Sequence, residues 1–445
     1  MQIIYFALCL LLSFPLMCFA EPKISPRQAI LIALEKNHQL QATAHEVTAA
    51  EEEVNINRSR YLPRVSLEES AAVSNSPTRV FMMKLDQGKF ASSDFDTANL
   101  NKPDSYHDFK TALTLEQPLF DLSLLKSTSM AKTAAESQKF AADQRRQDVA
   151  VKVYSAWLAV RRAKAYATIA EQAMAEAKEH LRLAGARVGV GTGLKSEGLR
   201  AKTFLFDVEQ QLITANNDLK LAKMQLAMVL GGTPGEEMDI VDDLSVVEMT
   251  STISELQLLA VENRKDLQAV NKETQKAATA IELARAAYLP TLYASASYQL
   301  NDYSVPFGRD NDSWQAGVTL RWEFFSGLKT RNEVNKFKSL ERASQEYQKD
   351  YANSIAYQVS ENVLRHGEAG KRLELARQAV IDAEESVRLI SKRFQNSLSP
   401  MVELLDAQTS LNRARAVQVE MENGQALALA RIWQSAGIFL KEVLK

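Results

Sequence analysis

The segment YLPRVSLEESAAVSN (residues 61–75) returns as YLPTLYASASYQLN (residues 288–301), 227 positions further on. In both copies a helical pattern runs up to the tyrosine and a period-two pattern follows it. Proline cannot continue a helix, and it biases its predecessor toward extended backbone, so each YLP marks a helix-to-strand junction. One chain makes the same structural change twice.

The echo extends outward from that junction. LEKNHQLQA (34–42) matches VENRKDLQA (261–269) at the same offset of 227. LTLEQPLFD (113–121) answers VTLRWEFFS (318–326) at offset 205, so the first copy carries 22 extra residues between its two strand-like segments. RVGVGTGLKSEGLRAK (187–202) then answers RFQNSLSPMVELLDAQ (393–408) at offset 206. A duplicated plan follows: helix, two strands, a long helix, a tight break and another helix. The expected layout is a first repeat over 21–235, with strands near 62–75 and 106–121 and a turn near 189–196. A connector over 236–253 leads to a second repeat over 254–445, with strands near 289–301 and 313–325 and a turn near 395–400.

The long helices carry heptads. Ala156, Val160, Ala163, Ala167, Ala170, Met174, Ala177, Leu181, Ala184 and Val188 recur in strict four-three steps, and Leu373, Ala376, Val380, Ala383, Val387, Ile390 and Phe394 repeat the register. Sustained heptads mean antiparallel coiled-coil packing, and alanine along the seam lets backbones approach closely. With only 16 Gly and 11 Pro in 445 residues, interruptions are few, and an elongated rod or tube is expected.

The strands alternate differently. In WQAGVTLRWEFF (314–325), Trp314, Ala316, Val318, Leu320, Trp322 and Phe324 share one face, opposite Gln315, Gly317, Thr319, Arg321 and Glu323. Apolar outside and polar inside, with Trp314 and Trp322 near the ends as interfacial anchors, is the pattern of a membrane barrel strand. A soluble sheet packed on one side also alternates. After residue 20 no stretch approaches the roughly 20 apolar residues of a spanning helix, so any membrane crossing uses strands. Four strands cannot close a barrel and lipid tolerates no open edge, so several copies would have to contribute to one barrel.

The first 20 residues, MQIIYFALCLLLSFPLMCFA, hold no charge and end in a small-x-small site at Ala20, as a cleaved secretory signal does. Both cysteines, Cys9 and Cys18, fall inside it, so the exported chain is expected to have no disulfide and no thiolate metal site. Lysine plus arginine (53) nearly balance aspartate plus glutamate (55), which offers no basic footprint for nucleic acid. The five histidines, His38, His45, His107, His180 and His366, lack ligand spacing and read as surface or helix-face residues. GVGTG (189–193) follows a helix, not a strand, and lacks the lysine-serine sequel of a phosphate loop, so it reads as a helix-helix turn. No ordered nucleophile, base and orienter set is present, and neither an enzyme nor a cofactor is expected.

In sum of its motifs, YLP at 61 and 288, LEQPLFD (115–121), LLDAQTSLNRAR (404–415) and the duplication itself, the sequence resembles the TolC family of outer membrane efflux proteins. The insertion PTRVFMMKLDQGKFASSDFDTANLNKPD (77–104) is similar to the longer first loop found in part of that family. The resemblance implies a mainly α fold with a membrane β-barrel portion. Three copies would each give four strands to one twelve-stranded barrel in the outer membrane, above a periplasmic α-barrel of coiled coils. It implies a passive exit duct partnered by a periplasmic adaptor (membrane fusion protein) and an inner-membrane pump of resistance-nodulation-division or ABC type, with the adaptor's hairpins in grooves at 185–199 and 393–406. Type I polypeptide secretion through the same channel stays open. So does a periplasmic scaffold or adhesin stalk without a channel, although that leaves the apolar-out strands unexplained. Glu403 and Asp406 match the family's acidic rings at the tunnel entrance, and Glu197 matches its gate position. Ser399 and Pro400 stand where the founding member has a locking arginine, so that salt bridge cannot form here.

Overall fold

A computed structural model describes residues 23–233, 238–242, 249 and 251–444. The leader read at 1–20 and part of the connector lie outside the described residues. The elements are, in order, β1 (Lys23–Ile24), α1 (Pro26–Lys36), α2 (His38–Ser59), β2 (Arg64–Ser74), α3 (Pro77–Asp86), α4 (Thr97–Asn101), β3 (Tyr106–Phe120), α5 (Leu122–Gly189) and α6 (Lys195–Leu230). There follow β4 (Asp239–Ile240), α7 (Ile253–Asn263), α8 (Lys265–Ala286), β5 (Thr291–Asp302), β6 (Asn311–Arg321), α9 (Lys329–Gln395), α10 (Met401–Ser435) and α11 (Phe439–Val443). No described helix is long and apolar enough to cross a membrane.

The duplication is carried down to the caps. α1 and α7 start at 26 and 253, and α2 and α8 at 38 and 265, both 227 apart. The Ser25 hydroxyl accepts from Gln28 N while the Gln28 side chain accepts from Ser25 N, and Thr252 and Glu255 form the same reciprocal box. Asn37 ends α1 and starts α2: its amide donates to Val229 O at 2.7 Å and its oxygen accepts from Gln39 N at 2.9 Å. At the matching break Arg264 does different work, bonding Asp266 and Gln358. Gly231 (φ +91°) and Gly437 (φ +73°) close the two terminal hairpins where a side chain has no room. A Cβ would stand 2.4 Å from Lys36 O at the first and 2.9 Å from Arg264 N at the second.

The described residues fall into two compact units, and each draws on both sequence repeats. One holds His45–Phe140 and Gln268–Asp350, including the four-stranded antiparallel sheet in the order β2-β3-β5-β6. The two copies of the strand pair thus join through β3 and β5. The ladder between them slips at Pro118/Phe120, where proline offers no N–H. β6 ends at Arg321, four residues short of the expected 325. Its last partner is Thr291, and the next position on β5's side is Pro290, which cannot extend the ladder.

The other unit comprises the described residues within 23–44, 141–267 and 351–444. Its core surrounds Trp157, fully buried with Ile30, Leu226, Leu230, Ile240 and Phe439. The Trp157 indole donates to Ile24 O at 3.1 Å and so fixes β1, which pairs in parallel with β4. That small sheet was absent from the sequence reading, because two-residue strands leave no periodicity.

Candidate functional site

The sheet has two chemically distinct faces, and the register shows them row by row. Leu67, Leu113, Tyr298 and Trp314 lie abreast on one face, as do Val65, Leu115, Ala296 and Ala316. On the other face Ser66, Thr114, Ser297 and Gln315 lie abreast, next to Glu68, Ala112, Gln299 and Ser313. This polar face forms an open groove of about 380 Å³ whose lining includes Glu68, Lys110, Glu116, Ser297 and Gln315. The apolar face is bare: Leu67 is 65% exposed, Val318 64% and Trp314 77%. A face of this kind needs lipid or protein against it, and the two outer strands β2 and β6 present unpaired backbone edges.

The apolar band has a polar upper limit. Glu69, Thr111, Leu300 and Asp312 form the next row on that face; Thr111 donates to Glu69, and the Tyr298 hydroxyl donates to Asp312 at 2.9 Å. Trp314 lies two residues below that row. Trp322 lies beyond the other end of β6, where its indole donates to Tyr288 O at 3.0 Å and its ring meets Phe324 at 4.5 Å.

The two tight breaks meet in the helical unit. A small core of Ala184, Ala201, Phe394, Met401, Leu404 and Leu405 joins α5, α6, α9 and α10 there. The first turn, at 190–194, carries Gly191 at φ +76°, and the second places Ser397 at φ +61°, with Leu398 N donating to Arg393 O at 2.8 Å. Arg187 spans the two. Its guanidinium lies 4.4 Å over the Phe394 ring and donates to Phe394 O at 3.2 Å, placing a cation at the carbonyl end of α9.

Glu197 answers it at the opposite poles. One carboxylate oxygen accepts from Leu194 N, at the start of its own helix, and the other accepts from Met401 N, the first residue of α10, both at 3.3 Å. A single anion thus serves two helix N-termini, where backbone N–H groups lack intrahelical partners. Glu403 is exposed and accepts from the Ser399 hydroxyl. Asp406, exposed one turn later, has no side-chain partner among the described residues. The structure therefore brings Glu197 against α10's start and puts Glu403 and Asp406 on that helix's exposed side. Arg187 was not singled out from sequence; a lone arginine ahead of a glycine turn carries no signal for a partner 207 residues away.

His180 corrects the reading of the histidines. It is 8% exposed, neither ring nitrogen has a hydrogen-bond partner, and Gln408 of α10 lies beside it. Ala173, Ala177, His180 and Ala184 form the buried stripe here, displacing Met174 and Leu181 to half-buried positions. Two successive three-residue steps, 167–170 and 170–173, break the strict heptad and move the seam one residue earlier. Burial holds the imidazole below its ordinary pKa, against the opposing pull of Gln408, Glu176 and Glu179. Among the described residues no cluster of His, Cys, Asp and Glu could hold a metal ion.

The sequence profile of the outer membrane efflux protein family matches residues 29–232 and 257–438. The proteases secretion protein PrtF of Dickeya chrysanthemi is 25% identical over 91% of this chain and 86% of its own length. The toluene efflux pump outer membrane protein TtgF of Pseudomonas putida is 23% identical over 94% of this chain and 84% of its own. Among solved structures, the CmeC outer membrane channel of Campylobacter jejuni shares the fold with a TM-score of 0.78 at 14% identity, covering 94% of this chain and 89% of that one. The family match spans both repeats together with the sheet and the paired breaks, and the chain belongs to the outer membrane efflux protein family.

Proposed function

We propose that three copies of this chain assemble into the exit duct of a tripartite export system, receiving cargo from an inner-membrane pump through a periplasmic adaptor. Membership of the family makes the chain an outer membrane channel component, so the proposal concerns assembly, partners and gate. The observation that carries it is the sheet: one bare apolar face, one polar groove and two unpaired edges within a single chain. Twelve strands from three copies would satisfy every edge and turn the groove into a water-filled wall. Trp314 and Trp322 would sit at the two limits of the lipid-facing band. PrtF and TtgF carry names from protease secretion and toluene efflux, and both uses ask a passive conduit of this component.

Glu197 and Arg187 would hold the entrance shut by clamping α6 to α10 and α5 to α9, in place of the salt bridge that Ser399 and Pro400 preclude. Glu403 and Asp406, repeated threefold around the entrance, would concentrate negative potential and favour cations. Replacing both by alanine is expected to lower the cation preference of single channels in a planar bilayer. Reversal potentials identical to those of the unmodified protein would remove these two residues from the pore.

A further inference from the structure

We propose that the insertion over residues 77–103 is a built-in constriction of the channel's outer mouth, fixed on the pore-facing side of the sheet by Gln87. The inference rests on the channel-wall reading of the polar face. The insertion begins with α3, whose buried residues Val80 and Met83 are continued by the C-cap residue Gln87. Gln87 is 1% exposed, and its amide uses both of its ends: it donates to Asp108 at 2.9 Å and to His107 O at 2.8 Å, and it accepts from the Tyr106 hydroxyl at 3.0 Å. Asp108 also receives both hydrogen bonds of the Asn301 amide at 3.1 Å.

The side of the sheet is settled by parity. Tyr106 and Asp108 share their face with Lys110, Ala112 and Thr114, and Asn301 shares its face with Ser297 and Gln299, which is the face of the polar groove. Asn311, the partner of Asn301 on β6, donates to Asp86 O at 3.0 Å, and Lys89 pairs with Asp310 while its ammonium lies 5.4 Å from the Tyr303 ring. The anchors Tyr106, Asp108, Asn301 and Asn311 are therefore on the groove side, at the strand ends that carry the connecting loops, and the Lys89–Asp310 pair lies immediately before the start of β6. Phe81, Phe90 and Phe95 stack edge to face within the insertion, with Phe95 at the exposed end of the row.

The sizes make this consequential. Twelve strands spaced by about 4.8 Å and tilted by about 40° enclose a barrel of roughly 24 Å between backbones. Three helices, each about 10 Å across with side chains, need a circle of roughly 21 Å. Three copies of the insertion would occupy most of the mouth and set the largest solute able to enter from outside, whatever the state of the gate.

The test uses the full chain in whole cells. Its only cysteines are Cys9 and Cys18, so Thr114→Cys places a single thiol of the exported chain in the polar groove below the insertion. Maleimides on poly(ethylene glycol) tails of increasing length are applied from outside to this variant, to the same variant with 77–103 replaced by a short turn, and to one carrying Gln87→Leu. The expected result is a size cutoff in the first, its loss in the deletion and its relaxation in Gln87→Leu. An unchanged cutoff in both altered chains overturns the proposal while leaving the channel wall intact. Failure of even the smallest reagent to react in all three overturns the wall reading and the constriction with it.

Discussion

Glu197→Ala should loosen the paired helix starts more than any other single exposed carboxylate replacement at the breaks. The carboxylate makes two charge-assisted contacts to backbone N–H groups, at Leu194 and Met401, each 3.3 Å long. A helix cap is worth typically about 1 kcal/mol and an anion at a helix N-terminus about 0.3–1 kcal/mol. Both contacts are long and the side chain is half-exposed, so the lower part of that range applies, giving a loss of about 1–2 kcal/mol for the pair. That corresponds to a factor of about 5–30 in the equilibrium between the clamped arrangement and one with α10's first turn released. Hydrogen exchange is the direct assay: the amides of Met401 and Val402 should lose protection by that factor, while those around Trp157 stay unchanged. Glu197→Gln keeps an acceptor without the charge and should show about half the effect on the logarithmic scale. Equal protection of Met401 in the alanine variant and the unmodified chain would refute the clamp.

Asp266→Asn should cost about 3 kcal/mol, because it leaves the Arg264 guanidinium, of which 9% of the side chain is exposed, without its anion. Burial alone would raise the Asp266 carboxyl; Arg264, the Tyr351 hydroxyl at 2.8 Å and the Leu267 N–H outweigh it and hold the value below the usual carboxylate range. The stabilisation is thus complete above the ordinary aspartate range and is lost only as acid passes through the lowered value, so denaturant unfolding at pH 7 and pH 5 should show the same deficit in the variant. His180 shifts in the same direction, so it too loses stability on acidification, but through a higher pH window. Its value is held down by burial, so below the ordinary imidazole value of about 6.5 a loosened seam takes up a proton that the packed seam resists. Protection of the α5 amides around His180 should fall by up to about tenfold per pH unit through that window, and His180→Gln should abolish the dependence. A slope that persists in the glutamine variant would assign it elsewhere.

Much of the fold was legible because it is written in periods. The 227-residue echo, the heptads and the two-residue alternation each follow from backbone geometry, and α1 with α7, α2 with α8 and β2 with β5 stand at the expected spacing. Departures occur where one side chain decides. Asn37 splits a continuous apolar pattern by capping two helices at once, and Pro290 stops β6 from across the ladder. His180 enters the seam because an extra three-residue step at 170–173 moves the buried stripe one residue earlier. The insertion was read only as a longer loop, since its meaning lies in Gln87 reaching residues 20 and 21 positions away along the chain.

By itself the sequence determined the duplication, the alternation of helix and strand and the incompleteness of a four-stranded sheet, since these depend on local periodicity and count, and its motifs carried the resemblance to the family. Only the tertiary structure decided which groups meet: Glu197 with the start of α10, Arg187 with Phe394, and Gln87 with Asp108 on the polar side of the sheet. The first two pairings join the two copies of one repeated segment, but neither the repeat nor any periodicity says which residues in them meet. The pairings arise from packing and from the need of buried or terminal polar groups for partners, which is a property of the folded arrangement and not of any stretch of chain.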